Sequence, residues 1–231
     1  MNLKEQAARR ALGYVRSGMV LGLGTGSTTA FLIDMLGQQL GTGTLRDIVA
    51  VPTSEGTASR ARAAGIPLST LAKYGRLDLA LDGADEVDPQ LNLLKGLGRG
   101  LLREKIVAVH ADRFVVMVED SKLVPTLGTR APLPMEIVPF GAEAQVRWLN
   151  TLGCRAEFRL ETDGTCAVTD NGNYLAHCWF AEGIANPHGL ARTLADRPGI
   201  VEHGLFLDLA STVVVAGAQG IRVLERAVSD S

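Results

Sequence analysis

Lys95 to Lys105 reads KGLGRGLLREK, three glycines and a lysine in front of a helical stretch that carries a carboxylate. With a helix starting near Gly98, Glu104 shares its face with Gly100 and Leu101 behind it and with Val107 and Ala108 ahead. A carboxylate among such small and apolar neighbours suits a general base in a sheltered site; the competing reading is an ordinary charged helix surface of Arg103, Glu104 and Lys105. A second group is Asp82-Gly83-Ala84-Asp85, with Glu86 and Asp88 close behind. Carboxylates spaced this way can hold sugar hydroxyls, bind a divalent ion or cap a turn. The metal reading is the weakest, because His110, His177, His188 and His203 are scattered and the oxygen ligands do not match a calcium-loop spacing. A third group is Gly24-Thr25-Gly26-Ser27-Thr28, whose backbone N–H groups, hydroxyls and following helix suit a phosphate monoester. The same glycines would also serve a tight strand-to-helix turn. The loop lacks the lysine of a GxxxxGK[ST] motif, and Pro52-Thr53-Ser54 offers no acidic residue for a nicotinamide ribose, which disfavours a nucleotide. Lys95 and Lys122 each follow a polar strand end and are placed to pair with phosphate or steady an enediolate, solvent exposure being the alternative.

These groups need elements to hold them. Leu3, Ala7, Ala11, Tyr14 and Val15 repeat at helical spacing over residues 3–17, closed by Ser17-Gly18. Met19 to Leu23 reads as a buried strand that runs into the Gly24 loop and a helix over Thr29 to Leu36. Asp47 to Val51 is a second strand, after which Ser54 caps a helix ending at Gly65. Leu77 to Leu81 and Phe114 to Val118 are further strands, ending in the Asp82 cluster and in Glu119-Asp120-Ser121-Lys122. This alternation predicts an α/β fold, a Rossmann-like parallel sheet with helices on both faces and ligands at the carboxyl ends of the strands, where every polar cluster above falls. Between Pro125 and Pro139 four of the nine prolines crowd together and mark a boundary rather than another βα unit. Beyond it come a helix over Ala142 to Leu152, strands over Arg155–Leu160, Cys166–Thr169 and Tyr174–Phe180 with Asp163-Gly164 and Asn171-Gly172 as hairpin turns, a helix over Gly189–Ala195 and a strand over Val201–Phe206. The strand Thr212 to Ala216, followed by Gly217 and a charged tail, resumes the first domain. The expected division is therefore a catalytic α/β domain of residues 1–128 and 207–231, with a smaller inserted α+β domain of residues 129–206.

At 231 residues the chain can bury a substantial core. Its 23 basic and 25 acidic residues leave a net charge of −2, which gives no electrostatic footprint for nucleic acid or an anionic membrane, so any phosphate site is local. The three cysteines show no CxxC spacing and read as thiols of a reduced compartment rather than a disulfide framework or zinc site. No apolar run has the length of a membrane span or the pattern of a signal peptide, and the cytoplasm is the expected location.

Together these segments closely resemble ribose-5-phosphate isomerase of the A type. The stretches that carry the resemblance are GLGTGST at Gly22–Thr28, VPTSEGTASRARAAGIPL at Val51–Leu68, LDGADEVD at Leu81–Asp88, KGLGRGLLREKIVA at Lys95–Ala108, EDSKLVPTLG at Glu119–Gly128, PLPMEIVPF at Pro132–Phe140, TDNGNY at Thr169–Tyr174 and PGIVEHGLF at Pro198–Phe206. The resemblance implies an aldose–ketose isomerase of the pentose phosphate pathway, working without metal or cofactor as a homodimer or homotetramer. Its substrates would be D-ribose 5-phosphate and D-ribulose 5-phosphate, interconverted through an enediolate. On that likeness Glu104 matches the family's base, with Asp82, Asp85 and Lys95 beside it in the chemistry. Substrate contacts fall on Thr25, Gly26, Ser27, Thr28, Asp82, Gly83, Ala84, Asp85, Lys95, Gly96, Leu97, Gly98 and Lys122, and Lys4 matches a further basic position. In a partly apolar site the glutamate's pKa would rise toward neutrality, and Lys95 would stabilise the oxyanion. The chain departs from the family's nearly unbroken glycine run at Leu97 and Arg99. A non-glycine residue costs roughly 1 kcal/mol or more at positive φ, so Leu97 is expected at negative φ. Similar domains also occur in coenzyme A transferases with a glutamate nucleophile and in sugar-phosphate sensors fused to a DNA-binding module. The sensor reading lacks a helix-turn-helix or basic patch here, and the transferase reading requires a covalent thioester at its glutamate.

Overall fold

Aliphatic runs alternate with helices through the first half of the chain, and the computed structural model, which describes residues 2–226, turns each of them into an element. In order come α1 (Leu3–Leu12), β1 (Val20–Leu23), α2 (Ser27–Gly41), β2 (Val49–Pro52), α3 (Glu55–Ala63), β3 (Leu79–Gly83), β4 (Glu86–Val87), β5 (Leu93–Leu94), α4 (Leu101–Val109) and β6 (Phe114–Glu119). Then follow β7 (Leu133–Ile137), α5 (Ala142–Leu149), β8 (Arg155–Phe158), β9 (Tyr174–Trp179), α6 (Pro187–Ala195), β10 (Ile200–His203), β11 (Leu205–Phe206), β12 (Thr212–Gly217) and β13 (Gly220–Glu225). Two compact units result: one takes residues up to Ala84, Arg103–Leu123 and the chain from Asp208 on, and the other takes Asp85–Leu102 and Val124–Leu207.

The first unit is built on a six-stranded sheet in the order β13-β12-β6-β3-β1-β2, parallel except for β13, which runs antiparallel to β12. Leu21, Leu23, Leu79, Leu81, Val115 and Met117 alternate onto one face and join a core with Leu32, Ile33 and Leu36 of α2 and Ala7, Ala8 and Ala11 of α1. The other face takes α4. A Cβ on Gly22 would stand 2.4 Å from Val107 Cγ1 and 3.2 Å from Ala80 Cβ, so the absence of a side chain there lets the helix lie directly on β1. The far end of α4 leads to Asp112, whose N–H donates to the Leu77 carbonyl (2.8 Å) just before β3. The helix therefore runs from the carboxyl edge of the sheet back to its amino edge. Chain order reverses between β1 and β3, and the carboxyl ends of those two strands flank the switch point at which open α/β sheets bind ligands.

Several local expectations need correction. The first helix stops at Leu12 rather than 17, and Tyr14 and Val15 follow in tight turns with i−3 hydrogen bonds of 3.0 Å each. The helix that carries Glu104 starts at Leu101, three residues after Gly98, because Arg99 adopts φ 73°. The charged stretch after Gly217 is a strand: Gly220 turns at φ 105° and β13 pairs back along β12, with Glu225 accepting from Thr212 Oγ1 (2.8 Å). Its hydrophobic alternation is weak because it is an edge strand with little to bury. The end of that tail, residues 227–231, lies outside the described residues.

The second unit holds a four-stranded antiparallel sheet, β10-β7-β9-β8, and a three-stranded one, β11-β5-β4. Met135, Ile137, Ala176 and Cys178 from the sheet, Leu149 from α5 and Leu194 from α6 share its core. Residues 85–102 belong to this unit because β4 pairs with β5 and β5 with β11. The proline-rich segment expected to be a boundary contains β7. β10 pairs with Met135, Glu136 and Ile137; beyond it the Pro134 carbonyl accepts from Gly204 N (2.8 Å) while the Gly204 carbonyl takes Lys95 N (2.8 Å), so the N–H that proline lacks is not needed there. The single strand expected over Val201–Phe206 is broken at Gly204 into β10 and β11, which join different sheets. Cys166–Thr169 contributes two isolated bridges, Leu160 with Cys166 and Val168 with Tyr174, instead of a strand. The helix from Ala142 ends at Leu149, and a 3₁₀ turn carries the chain to Gly153, left-handed at φ 80°.

Candidate active site

In the first unit the loop after β1 and the end of β3 are built around one buried carboxylate. Asp82, 3% exposed, accepts from Gly83 N (2.7 Å), Thr25 N (3.2 Å) and Thr29 Oγ1 (3.4 Å). A Cβ on Gly24 would stand 1.9 Å from Asp82 Cγ, so this glycine is required by close approach. Gly26 is required by conformation instead: it caps α2 at φ 135°, ψ 176°, open to L residues only at a cost. Ser27 and Thr28 then occupy the first turn of α2, where N–H groups are left without intrahelical partners. Lys4 brings its ammonium to Ser27 Oγ (3.0 Å) from α1.

Thr25 is the centre of a hydroxyl cluster that the sequence reading missed. Its Oγ1 lies 2.8 Å from Thr53 Oγ1, 2.9 Å from Ser54 Oγ and 3.1 Å from Thr57 Oγ1, and Thr57 Oγ1 in turn donates to the Gly24 carbonyl (2.8 Å). Ser54 was expected as a helix cap and is one, accepting from Thr57 N at 3.0 Å; its second job is to hold Thr25. The run of hydroxyls at the carboxyl end of β2 was the available signal. Thr25, Gly26, Thr29, Ser54, Thr57 and Arg60 border a cavity of about 130 Å³ in the same unit. Residues at the N-termini of α2 and α3 stand on its border, where N–H groups without intrahelical partners suit an anion.

Glu104 is 3% exposed, in the first turn of α4. It stands three residues before Val107, the residue that packs on Gly22 of β1, and so shares the sheet-facing side of the helix, one turn nearer the carboxyl edge where Gly24 and Asp82 lie. Arg103, one residue earlier, points away to pair with Glu55 of α3 at 3.0 Å. The charged trio of Arg103, Glu104 and Lys105 is thus not one solvent face. Lys122 closes the 3₁₀ turn Asp120–Lys122 at the carboxyl end of β6, half-buried.

The remaining candidates lie on the second unit, apart from Gly83 and Ala84, which lead from β3 to its boundary. Asp85 is half-buried; its N–H donates to the Leu94 carbonyl (2.9 Å) and its Oδ2 accepts from Leu97 N (3.1 Å). Lys95 is 2% exposed, with its N–H on the Gly204 carbonyl (2.8 Å) and its ammonium 5.4 Å from the centroid of the Phe206 ring. A Cβ on Gly204 would stand 2.2 Å from the Lys95 carbonyl, so the break between β10 and β11 is what seats the lysine. Gly96 takes φ 112°, Leu97 falls at negative φ as expected, and the left-handed residue of the loop is Arg99. The neighbouring acids are structural. Glu86 accepts from Gly128, Arg130 and Ala131 N–H groups, and Asp88 accepts from Gln90 N (2.9 Å) and Asn92 N (2.8 Å). Among the described residues no cluster of three or more His, Cys, Asp or Glu side chains is arranged to hold a metal ion.

Residues 49–220 match the family model of ribose 5-phosphate isomerase A (phosphoriboisomerase A). A ribose-5-phosphate isomerase A of Roseiflexus castenholzii is 53% identical over 222 residues, covering 96% of this chain and 94% of the relative. Among solved structures, a D-ribose-5-phosphate isomerase in complex with phospho-erythronic acid superposes with a TM-score of 0.94 at 40% identity, covering 98% of this chain and 100% of the other. The ribose 5-phosphate isomerase A of Methanocaldococcus jannaschii does so with a TM-score of 0.91 at 37% identity, over 96% and 98% of the two chains. A sheltered carboxylate, a cavity bordered by the hydroxyls of Thr25, Ser54 and Thr57, and this likeness over nearly the whole length agree: the chain belongs to the ribose 5-phosphate isomerase A family.

Proposed function

We propose that this chain interconverts D-ribose 5-phosphate and D-ribulose 5-phosphate through an enediolate, with Glu104 as the proton carrier. The observation that carries the reading is a carboxylate only 3% exposed on the sheet-facing side of α4, at the edge where Gly24 and Asp82 form an oxygen- and N–H-rich strand end. Glu104 takes the proton from C2 of the open-chain aldose, and the electron pair becomes the C1–C2 double bond as negative charge moves to O1. The glutamic acid returns the proton to C1 while the hydroxyl proton of O2 passes to O1, leaving a ketone at C2. Asp82 and Asp85 handle the hydroxyl protons, and the Lys95 ammonium offsets the charge on the oxyanion. Thr25, Gly26, Ser27 and Thr28, with Lys4 and Lys122, hold the phosphate, while Gly83, Ala84, Gly96, Leu97 and Gly98 line the sugar. A relative solved in complex with phospho-erythronic acid, a phosphorylated sugar acid, supports a phosphosugar as the ligand.

The deciding experiment is a coupled assay of ribose 5-phosphate conversion with EDTA present. Turnover is expected to be unchanged by chelation, because the steps above run on Glu104, Lys95 and the aspartates. Loss of activity in EDTA with recovery on adding a divalent ion would overturn this mechanism. Ribose without its phosphate is expected to lose about 10³-fold or more in kcat/KM, since binding energy from the unreactive end of the substrate is what orients the reacting carbons. Comparable kcat/KM for the two sugars would remove the phosphate role from Gly24–Thr28. The working assembly proposed is a homodimer or homotetramer in the cytoplasm, checked by light scattering of the purified protein; among the described residues no helix is long and apolar enough to cross a membrane.

A further inference from the structure

The loop Gly96–Gly100 holds two residues that are not glycine, and both are gripped by one hairpin. Arg99 N donates to the Gly96 carbonyl (3.0 Å), closing a turn in which Arg99 itself is left-handed. That conformation is unfavourable for arginine, so something outside the turn must hold it. Its guanidinium forks onto Glu161, Nη1 to Oε1 and Nη2 to Oε2, the second bond at 2.8 Å. Arg159, two residues before Glu161, donates from Nη1 to the Leu97 carbonyl, while the Leu97 N–H is taken by Asp85 Oδ2 at 3.1 Å. The peptide groups on both sides of Leu97 are thus fixed by side chains, and two cations and two carboxylates make the cluster neutral.

The hairpin is itself braced. Arg159 N donates to the Leu175 carbonyl and Ala167 N to the Arg159 carbonyl, each at 2.8 Å, so the guanidinium leaves a paired backbone. Glu161 N donates to the Thr165 carbonyl (2.8 Å) across a turn in which Asp163 Oδ1 accepts from Thr165 N (3.0 Å) and Thr165 Oγ1 (2.7 Å). Burial and the neighbouring Arg99 lower the Arg159 pKa, and the fork from Arg99 holds Glu161 below the usual carboxylate range.

We infer that Arg159 and the Arg99–Glu161 pair are positioning residues of the reaction, fixing the backbone of residues 96–98 behind Lys95 where the loop's own sequence does not. The inference rests on the isomerase reading for its consequence in rate, and on geometry alone for its consequence in loop order.

Two readouts separate these. Amide hydrogen exchange over residues 96–100 of the unliganded protein is expected to quicken about tenfold in Arg99→Glu, in Glu161→Arg and in Arg159→Met, and to return to within threefold of wild type in the exchanged pair Arg99→Glu/Glu161→Arg. With ribose 5-phosphate the single variants are expected to lose roughly 10- to 100-fold in kcat with unchanged Tm, because a displacement of about 1 Å in a positioning group carries losses of that size. The exchanged pair is expected to recover most of the rate. Unchanged exchange in the single variants, or a double variant no better than either, overturns the inference, as does quickened exchange with unaltered kcat. If the loop loosens as described but the wild-type protein itself does not turn over ribose 5-phosphate, the grip on the loop stands and the isomerase reading falls.

Discussion

Replacing Glu104 by Gln is expected to lower kcat about 10²- to 10⁴-fold while KM changes by no more than a few-fold, the usual worth of a positioned general base. The amide keeps the shape of a side chain that is 3% exposed in the first turn of α4, so the fold and the packing of Val107 on Gly22 should survive. What is removed is the basicity. A single base must reach C1 and C2 on one face of a planar enediolate, and a carboxylate at the sheet's carboxyl edge can do so without water intervening. In D₂O the wild type should place deuterium on the carbons it deprotonates, unless the proton stays shielded through the transfer, and Glu104→Gln should turn over about 10²- to 10⁴-fold more slowly. Near-normal kcat in Glu104→Gln, with activity abolished in Asp82→Asn or Asp85→Asn, would move the base to the acidic strand end.

Gly24→Ala should damage both stability and rate. The new methyl would stand 1.9 Å from Asp82 Cγ and 2.0 Å from its Oδ1, distances that force either the aspartate or the loop to move. Moving Asp82 breaks its bonds from Thr25 N and Gly83 N; moving the loop strains the Gly24 N–H bond to the Leu81 carbonyl. Overpacking of this kind costs about 1–3 kcal/mol, a fall of roughly 2–12 °C in Tm for a chain of this size. Because Asp82 and Thr25 shift together, kcat/KM is expected to drop about 10²-fold as well. Gly41→Ala, at the end of α2 with nothing within 4 Å of its would-be Cβ, serves as the control and should be neutral or slightly stabilising. A Gly24→Ala protein with wild-type Tm and rate would show that the loop does not depend on this close approach.

The parallel sheet was legible because β1, β2, β3 and β6 are aliphatic runs, each ending abruptly in polar or glycine-rich residues. The position of Glu104 was legible too, since helical spacing alone ties it to Val107 and Ala108 wherever the helix starts. The start itself was not, because it depends on Arg99 turning left-handed, and the partner that holds it there, Glu161, is 62 residues away. β13 and β7 were hidden for opposite reasons: one is an exposed edge whose Ile221, Val223 and Leu224 are interleaved with charges and bury no face, and the other is buried but carries Pro134. The hydroxyl cluster of Thr53, Ser54 and Thr57 was masked by a correct local reading, since a serine that caps a helix gives no hint that it also braces the loop of a neighbouring strand. Gly204 breaks a strand that its neighbours favour, and the nearness of the Lys95 carbonyl and of Pro134 Cδ explains why.

The packing of α1 against β6 and β12 has a bearing on how the protein is made. α1 ends at Leu12 and β12 begins at Thr212, so about 200 residues separate the helix from one of the strands it covers. At roughly 5–20 residues per second a ribosome needs about 10–40 s to deliver that strand. For about the last half of this interval, once β6 is complete at Glu119, its hydrogen-bonding edge that β12 will fill stays open, and α1 is seated on α2 and β6 without β12. Nascent chains halted before residue 212 should therefore be the species that chaperones hold and that aggregate when chaperones are scarce.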